Sequence, residues 1–396
     1  MTGTTDAPCR GMVWRPLVLM AAALLVPALS ASQPQVRFSG YVVDFPAYQK
    51  LNSTLATLFG TDQDQFFNLT RVRLRPTLLP WTDGELSVEY EITGLYKTSE
   101  FTTGAELSPP GRNQLFDLSW VLVDGQHYLA RHFIDRLYFK QMFDAGEIVI
   151  GRQRISMGTG RIWNPTDLFN PINPASFSKI EKDGVDALSG RVYLGSFTDL
   201  SFVYNPYDDF RQRNIGAKFR SNIAEYDFSF LAGRFGDRNV VGADFAGNFF
   251  DAGLRGEGIY SAERGEFSNG FVKAILGLDN QFTAELYALV EYHYNGEGTT
   301  DRFSYDLARL LAGEILNVGT QYLAVSASYL LHPLVTASAT NISNLVDGSG
   351  LVNIVVQYSM SANAGILAGA QITYGDEFSE YWYFPPSTYL QIDYYF

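Results

Sequence analysis

From residue 36 to its end the chain alternates apolar and polar positions with a period of two. In 85–93, Leu86, Val88, Tyr90 and Ile92 alternate with Glu85, Ser87, Glu89, Glu91 and Thr93. In 283–294, Ala284, Leu286, Ala288, Val290, Tyr292 and Tyr294 alternate with Glu285, Tyr287, Leu289, Glu291 and His293. Successive side chains of a strand point to opposite faces, so each segment reads as a two-faced strand with its charges on one face only. At the end of the chain, Leu390, Ile392, Tyr394 and Phe396 share one face, and Tyr389, Gln391, Asp393 and Tyr395 share the other.

The strands come in pairs joined by short turns near 82–84, 144–146, 197–199, 222–224, 246–248, 280–281, 332–334 and 361–363. Each turn carries Gly, Pro, Asn, Asp or Ser, the residues a tight reversal needs. The other connections are longer and more polar, with 49–65, 98–130, 158–186 and 296–319 the most extended. Eight turns join sixteen strands, and one strand at each end makes about eighteen; sixteen is the near alternative. Within 98–130, Leu118–Val123 reads as an extra strand or an ordered loop. Local alternation alone fits both a soluble sandwich, apolar face inward, and a membrane barrel, apolar face outward.

Composition narrows the choice. Arg10 and Arg15 precede an apolar run over 16–29 that ends in small residues, so 1–31 reads as a secretory signal, cleaved near Ser30 or Ala31. The run is too short for a transmembrane helix. Cys9 is the sole cysteine and lies in that leader, so 32–396 can form no disulfide, thiolate metal site or cysteine nucleophile. The net charge of −13 becomes −14 when Arg10, Arg15 and Asp6 leave together, and nucleic acid is disfavoured as a partner. Mean hydropathy is −0.05 and no later apolar stretch is long enough for a spanning helix, which excludes a helical membrane protein.

A last strand with this alternation, closed by Phe396, resembles the targeting strand of bacterial outer-membrane β-barrels. The signal, the asymmetry of the connections and the aromatics near strand ends extend the resemblance to all of 32–396. Those aromatics are Tyr41, Phe45, Tyr96, Tyr260, Tyr292, Tyr294, Tyr374 and Tyr394, expected in two interfacial girdles. The expected fold is all-β: one transmembrane antiparallel β-barrel of about eighteen strands, with short periplasmic turns and long extracellular loops, in the bacterial cell outer membrane. This size resembles substrate-selective or alginate-export porin-like channels, and the resemblance implies passive diffusion of small hydrophilic solutes without a cofactor. It implies as partners outer-membrane lipid and lipopolysaccharide, the barrel-assembly machinery and, as in many channels of this shape, two further copies in a homotrimer. An export pore or partner-bound conduit of an envelope machine is the alternative, as is a plugged structural barrel.

Two features carry candidate chemistry. Arg71, Arg73 and Arg75 share one face, and facing lipid would cost about 2–4 kcal/mol for each near the midplane, so they are expected in the lumen. Glu85, Glu89 and Glu91 of the next strand would pair with them. Arg136 and Lys140, Arg152 and Arg154, and Lys218 and Arg220 continue the inward set by the same alternation. These cations read either as a basic ladder for anionic solutes or as ion pairs that hold the wall, each worth about 0–1 kcal/mol.

The second feature is 158–186. Ile162, Trp163, Leu168, Phe169 and Ile172 are too apolar to hang in water, and Pro165, Pro171 and Pro174, each preceded by Asn, fix the path without ladder partners. The segment resembles the constriction loop of general porins. Arg161, Asp167, Lys179, Glu181, Lys182, Asp183 and Asp186 would then line an eyelet, with Trp163, Phe169 and Phe177 as an aromatic slide for sugars. A lid packed on itself outside the barrel is the alternative. The histidines at 127, 132, 293 and 332 have no metal-ligand spacing, and no catalytic set stands out, so no enzyme activity is expected.

Overall fold

The computed structural model describes residues 33–99, 113–169, 171–176, 181–207, 213–311 and 314–396. The expected signal, together with Phe177 and Lys179, lies outside the described residues. Strands β1 (Gln35–Lys50), β2 (Asp64–Trp81), β3 (Gly84–Lys97), β4 (Ser119–Asp124), β5 (Tyr128–Phe143) and β6 (Gly146–Gln153) form the first third. They are followed by β7 (Val185–Tyr193), β8 (Asp199–Asn205), β9 (Asn214–Ile223), β10 (Tyr226–Phe235), β11 (Arg238–Phe249) and β12 (Ala252–Glu263). The last are β13 (Gly270–Gln281), β14 (Leu286–Asn295), β15 (Gln321–His332), β16 (Val335–Asn344), β17 (Gly350–Ser359), β18 (Ala364–Tyr374) and β19 (Ser387–Tyr395).

Every strand but β4 is antiparallel to both ring neighbours, and β19 pairs with β1, so eighteen strands close a barrel with no edge. Closure has a specific register: Tyr41 lies opposite Tyr395, and Gly40 exchanges both backbone hydrogen bonds with Phe396 at 2.8 and 3.0 Å. Leu118–Val123 resolves into β4, which stands outside the ring count. It pairs with Leu129–Phe133 of β5, above the stretch Leu137–Phe143 that pairs with β6. The wall above β6 is therefore supplied by the preceding connection.

The sense of the faces settles the ambiguity left by alternation. Val36, Phe38, Leu86, Ile92, Val241, Leu276, Ile354, Val356 and Ile392 are exposed, while Ser87, Glu91, Thr93, Val240 and Ile275, on the other parity beside Leu86, Ile92, Val241 and Leu276, are buried. An apolar face turned outward is the arrangement of a barrel in hydrocarbon, opposite to a sandwich. The terminal strand follows it: Ile392, Tyr394 and Phe396 are exposed, Leu390 is half-buried, and Tyr389 is buried.

Eight short turns lie on one rim, as read from the sequence, with two displacements. The stretch 246–248 is inside β11, and the chain reverses at Phe250 and Asp251, where Phe250 takes φ 54°. The turn read at 280–281 falls at 282–285. Turn chemistry failed as a marker because Phe250, and Ala224 with Glu225 at φ 52° and 68°, occupy left-handed positions that Gly or Asn would favour. The opposite rim is mixed: 51–63, 98–127, 154–184, 296–320 and 375–386 are long, but Gly236 and Asp237 alone join β10 to β11.

Tyr41 and Phe45 correct the girdle expectation. Both are buried on the inner face, and Phe45 stacks between Phe67 at 6.5 Å and Tyr389 at 5.3 Å. With Ala47, Leu69 and Leu95 they make an apolar patch on the interior wall. Tyr41, Val43 and Phe45 form the more apolar parity of this run and Val42 with Asp44 the other, so period two points the aromatics outward, and the barrel takes the reverse sense here.

Candidate functional site

The site begins where β6 ends. Instead of rising with the wall, the described residues after Gln153 turn into the barrel, and the wall resumes at Val185, two residues earlier than the boundary read from the sequence. The described part packs its apolar side chains on the inner wall. Ile155, Met157 and Phe169 bury against Val185, Ala187, Val203 and Leu231, with Phe169 edge-on to Phe235 at 5.4 Å. Trp163 is 2% exposed and buries against Ile275, Tyr322, Ala324, Ile342 and Leu351 on the far wall, its ring stacked on His293 at 5.2 Å. These contacts reach strands on opposite sides of the ring.

Polar anchors fix the path. Glu291 of β14 accepts three successive backbone N–H groups, from Arg161 at 2.9 Å, Ile162 at 3.2 Å and Trp163 at 2.7 Å. Glu257 of β12 accepts the N–H groups of Thr159 and Gly160, the Thr159 hydroxyl at 3.1 Å, and both the N–H and the hydroxyl of Thr166 at 3.2 and 2.8 Å. A loop free of ladder partners must still satisfy its amides inside a protein, and two wall carboxylates do so here. Lys218 of β9 donates to the Met157 carbonyl at 2.5 Å and pairs with Asp244 at 2.7 Å, and Gln371 of β18 donates to the Ala175 carbonyl at 3.3 Å.

The return limb meets the arginines. Arg73 lies within 3.0 Å of Glu89, Glu91, Asp135 and Glu181. Arg75 pairs with Glu181 and Glu89, Arg136 with Glu89 and Glu181 at 3.1 Å each, and Arg71 reaches Glu91 at 4.0 Å. Asp135 and Arg136 both point inward because a register shift of β5 against β3 falls between them, a bulge that re-aims one side chain. Asp135 also accepts the Gly184 N–H at 3.0 Å, which ties the loop's end to the wall. Burial raises the Glu181 carboxyl, but Arg73, Arg75 and Arg136 outweigh it and hold it below the usual range. Asp167, 2% exposed and paired with Lys182, is pushed up by burial against the opposing pull of that lysine.

The inward cations divide by exposure. Arg71 and Arg73 are buried, and Arg152, 2% exposed, is committed to Asp186 at 2.8 and 3.0 Å and to the carbonyls of Ile134 and Phe116. Arg152 and Arg154 do not share a face. Gly151, at φ 116°, breaks the alternation, so Arg152 and Gln153 both turn in and Arg154 stays exposed at the loop's root. Arg220, Arg191 and Arg161 keep about half of their side-chain surface (51%, 45% and 52%) exposed. Their carboxylate partners Asp199 and Asp279 lie behind them at 9% and 12%. Lys140 pairs with Glu147 at 2.7 Å. Alternation showed which way Glu291 faces, and Glu257 was not singled out; nothing in the sequence tied either to loop amides ninety or more residues away.

No protein-family description matches the chain, and no curated protein sequence does. Solved structures do share its fold. A BenF-like porin from Pseudomonas fluorescens Pf-5 superposes with a TM-score of 0.57 at 11% identity, over 93% of this chain and 99% of that one. OccK9 (OpdG) of Pseudomonas aeruginosa gives 0.55 at 12% identity, over 91% and 98%. OccAB1 of Acinetobacter baumannii gives 0.54 at 8%, over 91% and 96%. At such identities the likeness is one of fold.

Proposed function

We propose that the protein is an outer-membrane channel for passive diffusion of small hydrophilic solutes, narrowed by segment 154–184. The observation that carries this reading is the pairing of an exposed apolar outer face with a segment drawn inside the barrel and anchored by Glu257 and Glu291. A barrel of eighteen strands is wide enough for a water-filled lumen, and an inserted loop sets its bore. The partners of this reading are outer-membrane lipid and lipopolysaccharide around the belt, the barrel-assembly machinery during insertion, and solutes inside. Association into a homotrimer belongs to the same reading.

Within the lumen, Arg161, Arg191 and Arg220 present charge to solvent while their carboxylates sit behind them, so the accessible wall is positive although the whole chain is acidic. Arg71, Arg73, Arg75, Arg136, Glu89 and Glu91 act as the electrostatic floor under the return limb. The apolar interior patch of Phe45, Phe67, Leu69, Leu95 and Tyr389 favours a second reading, a barrel whose interior seats a partner or a plug. Single-channel recording in a planar bilayer separates the two. Steps of stable size, with a reversal potential of anion sign under a salt gradient, support the channel; a folded but silent barrel overturns it.

A further inference from the structure

On the loop-side rim three connections converge on one carboxyl group. Glu380 opens the 3-10 turn Glu380–Tyr383 of connection 375–386 and is 1% exposed. Its Oε2 accepts the Tyr322 hydroxyl of β15 at 2.6 Å and the Asn344 amide of β16 at 2.8 Å. Its own N–H donates at 2.8 Å to Asp347 Oδ2, on connection 345–349. Asp347 also accepts the Tyr305 hydroxyl at 3.0 Å, from connection 296–320, and the Ser349 N–H and hydroxyl at 2.9 and 2.7 Å. The titratable groups facing Glu380 are thus Asp347, Tyr322, Tyr305 and Tyr381, and among the described residues no cation pairs with either carboxyl group.

Tyr322 looks both ways. Its hydroxyl binds Glu380 and accepts the Gly319 N–H at 2.5 Å, while its ring packs 6.0 Å from Trp163 of the inserted segment and 6.0 Å from His293. The rim and the lumen segment therefore share one side chain. We propose that Glu380 and Tyr322 form a proton-dependent latch that couples the rim connections to the inserted segment, closed while Glu380 carries its proton and loosened when it ionises.

A fully buried carboxyl group beside a half-buried one, with no cation paired to either, favours a retained proton on the buried group. Burial, with Asp347 adding to it, pushes Glu380 up to about 7 from an ordinary 4.5, against the hydrogen bonds from Tyr322 and Asn344. Opening the rim to water returns it toward its ordinary value. Between those values the closed form binds more protons than the open one, so opening grows as pH rises, by up to about tenfold per unit, and levels off above neutral.

The latch requires only the fold, while its effect on passage rests on the channel reading, so the two are measured separately. Amide hydrogen exchange of the full barrel in detergent, corrected for intrinsic rates, is followed over 345–349 and 379–384 from pH 5 to 8. Protection falls about 40-fold between pH 5 and 7 in the parent chain and stays level in Glu380→Gln. A decline of equal size in Glu380→Gln, or no decline in the parent, overturns the latch. If Glu380→Gln does not fold, Asp347→Asn serves: the midpoint moves to lower pH, and an unmoved midpoint refutes the coupling. Conductance recorded over the same range then tests transmission; steps that rise with pH in the parent alone place Trp163 downstream of Glu380, and pH-independent steps beside pH-dependent exchange limit the latch to the rim and refute the coupling to the inserted segment.

Discussion

The ring of Phe396 lies in the space that a side chain at Gly40 would fill. A Cβ built on Gly40 falls 2.7 Å from that ring and 2.3 Å from the Arg73 carbonyl oxygen. The same two residues exchange two backbone hydrogen bonds at one end of the β1–β19 seam that closes the barrel. Phe38 stacks on the same ring at 6.0 Å.

Gly40→Val therefore strains the seam itself, since one of the two clashes is with backbone. Overpacking of this kind costs about 1–3 kcal/mol. Urea unfolding of the refolded barrel is expected to show the loss at Gly40, and Gly94→Val, where a Cβ meets nothing within 4 Å, is expected to show little.

Glu291 holds the inserted segment through three amides, so Glu291→Ala strands them in a dry interior. Hydrogen bonds to a charged group are worth about 1.5–3 kcal/mol each, and the segment is expected to detach while the ring persists. Larger, noisier conductance steps and new protease cleavage within 159–169 would register this. Unchanged steps and an intact segment would show that Glu257 and the apolar contacts keep it in place without Glu291.

The arginines are expected to separate into two behaviours. Arg73→Ser leaves Glu89, Glu91, Asp135 and Glu181 crowded without their shared cation, and breaking a buried pair costs about 3–5 kcal/mol. Arg220→Ser and Arg191→Ser remove half-exposed charges, so they are expected to move the reversal potential toward cations with the unfolding midpoint nearly unchanged. Equal stability losses at all three positions would count against a charged, solvent-facing wall.

Acid acts on the return limb in the sense opposite to the rim. Glu181 is held below the ordinary carboxylate value in the folded barrel, so its contribution is present above about 4.5 and is lost as pH falls through the folded value. Exchange at 181–184 is expected to accelerate as pH falls below the ordinary carboxylate range in the parent chain, with Glu181→Gln fast at every pH and insensitive to it.

Much of this architecture was legible in the sequence because a strand has a rigid period of two. The inward sense of Arg71, Arg73 and Arg75 and the outward sense of Ile392, Tyr394 and Phe396 follow from alternation and the cost of charge in hydrocarbon. Alternation fails where the backbone adds a residue or reverses φ, as at Asp135 and at Gly151, and there Arg136 kept its sense while Arg154 parted from Arg152. It also fails at Tyr41 and Phe45, where the more apolar parity turns inward and Val42 with Asp44 takes the other face. The apolar content of 158–174 announced that the segment needed cover. Its anchors lay in strands far along the chain, and pairing at that range is set by the closed ring rather than by any local pattern.

The short strand β4 gives the connection before β5 a structural duty that its position in a loop conceals. β6 ends at Gln153 because the chain leaves the wall there to enter the interior, and an unfilled notch would open beside the root of the inserted segment. β4 tiles that notch, and the Phe116 carbonyl just before it binds Arg152 at the root. Constricting the bore and keeping the wall full height are thus one construction: a chain that turned inward here without the tile would breach its own side, and one that kept the tile but not the inward turn would have a strand with no vacancy to occupy.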